Sequence, residues 1–208
     1  MTGLAGVEVH GVTRQAFMLR GMLAATAAYG AAAAGPFVAR ALAQDAGTSD
    51  QSIAQFALTL EVLEATYYRE AVKKAKLSGE VLAVAKDIRD NEIEHVDILT
   101  DLVEQLGGRP RTSLKLDFGD ALNDSKSFLR LAQTFEDTGV SAYNGAAPNI
   151  QSPDVLEAAG QIVQIEARHA AMIRFLNDQD IAPGAFDRTR TEKQVLAAVD
   201  PYIRGSSG

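Results

Sequence analysis

Cysteine and tryptophan are missing from this chain, and histidine occurs only three times in 208 residues. The absence of cysteine excludes disulfides, thiolate metal sites and cysteine nucleophiles together. No run of lysine or arginine offers a basic patch, and the formal net charge is −7, which argues against a general nucleic-acid surface. What is present is a composition that is 47% apolar, with abundant alanine and leucine. That favours helices over sheets, and the length suits one domain with a substantial core.

Residues 1–43 differ from the rest and read as an export signal. Arg14 and Arg20 precede a run of small apolar residues from Gly21 to Val38, and Ala41-Leu42-Ala43 forms a small-x-small cleavage pattern before Gln44. The segment from Thr13 to Leu19 resembles a twin-arginine export motif, with Gln15 in place of the second arginine. An uncleaved membrane-anchoring helix is the competing reading, which Pro36, Arg40 and the glycines weaken. Cleavage after Ala43 removes three arginines and one glutamate, taking the formal charge from −7 to −9. The expected location is the periplasm, the envelope or the exterior of a bacterial cell, with no stable membrane insertion after cleavage.

The remainder is expected to be all-α. A polar linker over 44–51 leads to a first helix over about 52–77, with Ser49, Asp50 or Ser52 as its cap. Ile53, Phe56, Leu60, Leu63 and Tyr67 recur there at helical spacing. Ser78-Gly79 breaks the pattern, and a second helix runs over about 80–106 to the stop at Gly107-Gly108. Arg109 to Asn123 has no sustained period and is long enough to return along a bundle. A third helix spans about 124–146, and a fourth opens at Ser152-Pro153 and stops before Pro183-Gly184. Two hairpins joined by one long crossover form an antiparallel four-helix bundle over 52–180. The tail over 181–208 adds a short helix at about Glu192 to Val199, with a Thr191–Gln194 capping box.

Two of the three histidines lie in matched tetrapeptides, Glu92-Ile93-Glu94-His95 and Glu166-Ala167-Arg168-His169. A glutamate and a histidine three residues apart share a helix face. Upstream of each lies a glutamate with a tyrosine two turns on, Glu61 with Tyr68 and Glu136 with Tyr143. Glu61 to Glu136 and Tyr68 to Tyr143 are both 75 residues, while Glu92 to Glu166 and His95 to His169 are both 74. The chain reads as one helix pair used twice. A lone Glu-x-x-His is usually a solvated surface pair; matched offsets argue for a metal site. Glu64 rivals Glu61 on the first helix, but only Glu61 has its match in the second half, whereas Glu94, Glu70 and Asp137 read as surface residues. The four matched glutamates sit beside apolar neighbours, so unpaired they would lose several kcal/mol each on burial. Two divalent cations would offset them, and the two imidazoles complete a set suited to iron or manganese.

These motifs resemble the ferritin-like superfamily of di-iron carboxylate proteins, which includes ferritins, rubrerythrins and manganese catalases. Leu60 to Tyr68 and Glu136 to Tyr143 are similar to a bacterial branch of exported ferritin-like proteins related to plant desiccation-associated proteins. The resemblance covers about residues 50 to 200 and implies Glu61 and Glu136 as terminal ligands, Glu92 and Glu166 as bridges, and His95 and His169 as one nitrogen ligand per metal. Tyr68 and Tyr143 would hydrogen-bond the opposing carboxylates. Two iron ions, or manganese, are the implied cofactors, and dioxygen or peroxide the implied partners. The implied activity is that of an oxidoreductase of ferroxidase or peroxide-reducing type. A metal-stabilised, stress-related structural protein and a dimanganese catalase are the alternatives. A homo-oligomer is compatible with the sequence.

Overall fold

The computed structural model describes residues 49–204. The expected export segment and its cleavage site lie outside the described residues. Five α-helices follow in order: α1 (Asp50–Lys74), α2 (Gly79–Gln105), α3 (Ser125–Ala146), α4 (Pro153–Leu176) and α5 (Glu192–Val199). Only 3-10 turns and one isolated β-bridge accompany them, so the described chain is all-helical. It is a helical bundle of two hairpins, α1–α2 and α3–α4, with the short α5 set against α3.

Local chemistry fixes the helix ends. Ser49 caps α1, its Oγ accepting from the Ser52 amide at 3.2 Å. The Asp50 carboxylate meanwhile accepts from the amides of Gln151 and Ser152 at 2.8 and 2.6 Å. One acidic residue thereby pins the start of α1 to the start of α4. α2 ends in a Schellman turn: the amides of Gly107 and Gly108 donate to Glu104 and Val103, and Gly107 takes φ +77°. Capping boxes open α3 (Asp124 with Ser127) and α5 (Thr191 with Gln194).

Two helices are shorter than their apolar periodicity suggests. α1 stops at Lys74 rather than near residue 77, and Lys76 adopts φ +50°. α4 stops at Leu176, several residues before Pro183, and Asp178 adopts φ +55°. The second stop has a cause in packing. The Asn177 side chain turns to α3, and its Nδ2 donates to Leu129 O at 3.0 Å and Gln133 Oε1 at 2.9 Å, which ties the end of α4 to α3.

The core gathers at one end of the bundle around Tyr67, which is fully buried and donates its hydroxyl to Phe128 O at 2.7 Å. Tyr68, Phe118, Phe128 and Phe135 pack on its ring at centroid distances of 4.9–5.6 Å. Burying each such ring contributes about 1.5–3 kcal/mol. Phe118 comes from the crossover, so the long link is anchored in the core rather than draped over it. The chain end closes on the same place: Leu116 pairs with Ile203, and Tyr202 meets Phe135 edge-on at 5.2 Å. Before that closure, residues around Arg190 cross α3. The Arg190 amide donates to Ser141 O at 2.9 Å, and its guanidinium reaches Thr138 Oγ1 at 2.9 Å. This strap runs so close to Gly145 that a Cβ there would stand 1.9 Å from Arg190 O.

Candidate metal centre

Each hairpin delivers the same kit to the middle of the bundle. α1 and α3 carry the glutamate and tyrosine two turns apart, and α2 and α4 carry the glutamate and histidine three residues apart. Helical spacing turns all of them inward, and the flanking Ala65, Ile88, Leu99, Ala132, Val140, Ile162 and Ile173 are buried with them. The structure brings together all eight of the residues singled out in the sequence. Glu92, Glu136 and Glu166 are 0% exposed, Glu61 is 1%, and His95 and His169 are 6% and 5%. Glu94 is exposed, Glu70 is partly exposed, and Asp137 is half-buried against Arg174.

Two overlapping donor groups result. Glu61, Glu92, His95 and Glu166 offer ligand atoms within 4.8 Å of one another, and so do Glu92, Glu136, Glu166 and His169. Glu92 and Glu166 belong to both. Nδ1 of His95 lies 3.1 Å from Glu61, 3.4 Å from Glu92 and 3.3 Å from Glu166. Nδ1 of His169 lies 3.0 Å from Glu92, 3.5 Å from Glu136 and 3.7 Å from Glu166. The tyrosines cross between halves: Tyr143 donates to Glu61 Oε1 at 2.6 Å, and Tyr68 donates to Glu136 Oε1.

Many of these buried atoms have no hydrogen-bond partner. Both oxygens of Glu92, both of Glu166, Oε2 of Glu136 and Nδ1 of His169 are orphaned. The contacts to His169 are close without being aligned as hydrogen bonds. An orphaned buried polar atom costs about 1–3 kcal/mol, and more when charged. Oxygen-rich donors with one nitrogen in each group, all aimed inward, fit divalent cations.

The charge balance agrees with that fit. Burial pushes the Glu166 carboxyl well above its usual range, with the facing Glu92 adding to the effect. Burial and Glu61 raise Glu92 to about 7. Burial also pushes Glu61 up, but hydrogen bonds from His95 and others outweigh it and hold Glu61 below 4.5. Burial opposes charge on the imidazoles, yet the surrounding carboxylates raise His95 to about 12 and His169 to about 11. Without cations, protons are the only charge this pocket can use to balance its acids.

A family model described as a ferritin-like domain matches residues 49–179, which span all four bundle helices. This chain belongs to that family. No curated protein matches it. Within the ferritin-like bundle, helical spacing alone did not separate Glu61 from Glu64. Both are buried, and Glu64 is 3% exposed with an orphaned Oε2. Its carboxyl is pushed far up, by burial first and then by the charge of Glu166. Glu64 lies over Gly139, where a Cβ would stand 2.8 Å from Glu166 Oε2 and 3.5 Å from Glu64 Oε1. The 75-residue offset pairs Glu64 with that glycine, so the signal was an exchange of bulk: one half fills the space that the other leaves open. Asn91 was also missed; its Nδ2 lies 3.0 Å from Nε2 of His169.

Proposed function

We propose that this chain is a dinuclear metal-carboxylate oxidoreductase holding two iron ions, with manganese as the alternative metal. Glu92 carries the reading. Its Oε1 faces His169 Nδ1 at 3.0 Å while its Oε2 faces His95 Nδ1 at 3.4 Å, so one carboxylate spans both nitrogen donors. Glu61 and His95 would hold one ion, Glu136 and His169 the other, and Glu92 and Glu166 would be shared. Bound ions would supply a reversible one-electron couple and open positions for dioxygen or peroxide.

The chain's own residues orient this site and keep it dry. Tyr143 and Tyr68 grip the outer oxygens of Glu61 and Glu136, leaving the second oxygen of each to point inward. Their hydroxyls stay protonated, because burial and the facing carboxylates push both pKa values well above 10. Beside Tyr143 lies an apolar cavity of about 20 Å³, walled by Ala54, Ala57, Leu60, Leu99 and Ala142. Its size and lining suit a small apolar molecule such as dioxygen better than a polar substrate.

Elemental analysis of the purified mature chain tests the reading, with about two iron or manganese ions per chain expected. No metal after reconstitution with either ion overturns it. Oxygen consumption on adding ferrous ion then supports the ferroxidase form, and peroxide disproportionation by the manganese-loaded chain supports the catalase form. A second reading, in which the metal stabilises the bundle without turnover, draws on the full burial of Glu92, Glu136 and Glu166. It predicts loss of stability on metal removal and neither activity. We also place the mature chain outside the cytoplasm, on the export pattern of residues 1–43. A mature product in the periplasm or medium that begins at Gln44 is the expected observation.

A further inference from the structure

The two halves match so well that their mismatches carry information. The 74-residue offset that pairs Glu92 with Glu166 and His95 with His169 pairs Asn91 with Ile165. Asn91 reaches across from α2 to α4, its side-chain amide 3.0 Å from Nε2 of His169. Ile165 has no polar atom to offer in return. Nδ1 of His95 faces carboxylates, and its Nε2 has no protein partner among the described residues. One imidazole is therefore held from behind and the other is not.

Nδ1 of His169 is the nitrogen aimed at Glu92, Glu136 and Glu166, and it is an orphaned atom. An imidazole that offers its Nδ1 lone pair to a metal carries its proton on Nε2, and that N–H needs an acceptor. Half a turn of the Asn91 amide sets Oδ1 where Nδ2 stands and supplies one. The hydrogen bond then fixes both the tautomer and the ring plane. Outer partners of this kind typically change metal affinity about 10–100-fold.

We infer that the two metal positions are unequal, and that the position at His169 binds its ion more tightly because Asn91 holds that imidazole. Asn91 touches no ion; it is a positioning residue. The inference rests on the two-ion reading given above.

Cobalt(II) titration of the metal-free mature protein, followed by calorimetry and by visible absorption, tests it. The wild type should fill in two distinct steps. Asn91→Ala should weaken the tighter step about 10–100-fold and leave the weaker one unchanged. Asn91→Asp, which keeps an oxygen acceptor, should restore most of the loss and so separates positioning from misfolding. Placed in His95→Ala protein, Asn91→Ala should show its full effect; placed in His169→Ala protein, it should show none. Ile165→Asn should tighten the weaker step. Two cobalt ions bound with equal affinity, or an Asn91→Ala loss that persists without His169, overturns this inference and leaves the two-ion reading standing. No bound cobalt in the wild type overturns both.

Discussion

Five carboxylates, each no more than 3% exposed, are gathered in the core of this protein. The folded, metal-free chain holds the Glu92 proton to about pH 7, against an ordinary value of 4.5. Glu92 therefore contributes stability that is complete below pH 4.5 and lost as pH rises through 7. The histidines act in the same direction: their contribution is complete below pH 6.5, declines above it, and is gone once pH passes about 11 for His169 and about 12 for His95. Glu61, depressed below 4.5, has the opposite sign but acts only at lower pH. The metal-free thermal midpoint should thus fall between about pH 5 and pH 8, measured by circular dichroism melts across that range. Metal binding would reverse the trend, since bound ions would displace these protons. Affinity should rise from pH 6 to pH 8, with proton release detected by titration in buffers of different ionisation enthalpy. At the same scale, Tyr143→Phe removes a buried hydrogen bond to a carboxylate, worth about 1.5–3 kcal/mol. Denaturant melts should show that loss, and titration should show weaker metal binding.

Among the elements, α3 does two jobs on two faces. One face carries Glu136 and Tyr143 into the centre, and the other receives the Arg190 strap across Ser141 and Gly145. Gly145→Ala puts a methyl group into the path of the strap and should lift it, costing about 1–3 kcal/mol. Denaturant unfolding measures that cost, and faster proteolytic cleavage over 182–190 should accompany it. Neither the strap nor the early end of α4 was legible in the sequence. A helix stopped by Asn177 and Asp178 carries no glycine or proline to mark it, and its cause is a hydrogen bond to another helix. The Schellman end of α2 and the capping boxes were legible, because their chemistry is complete within a few residues. The buried cluster of glutamates and histidines was legible for a different reason. A pair of matched offsets across more than 70 residues reports on spatial arrangement, not on local conformation. Glu64 shows where helical spacing stops: residues three apart share a face, and it takes the 75-residue offset together with packing to set Glu64 against Gly139.

At the scale of the whole molecule, metal binding would be coupled to the fold, because every candidate donor belongs to the same core that joins the two hairpins. Ions that bind only the folded chain stabilise it by about 2.7–4.1 kcal/mol per site at 100–1,000 times the dissociation constant. Chelation should therefore lower the thermal midpoint by about 10 °C or more. Restoring the ions should recover it, as differential scanning calorimetry before and after reconstitution would show. The internal repeat has a consequence for how such a centre can be tuned. Were α1–α2 a separate chain that paired with its twin, symmetry would force both ions into identical surroundings, and any substitution would alter both. Joining two hairpins through the crossover removes that constraint. Glu64 opposite Gly139, and Asn91 in register with Ile165, are differences that a symmetric pair of identical chains could not keep.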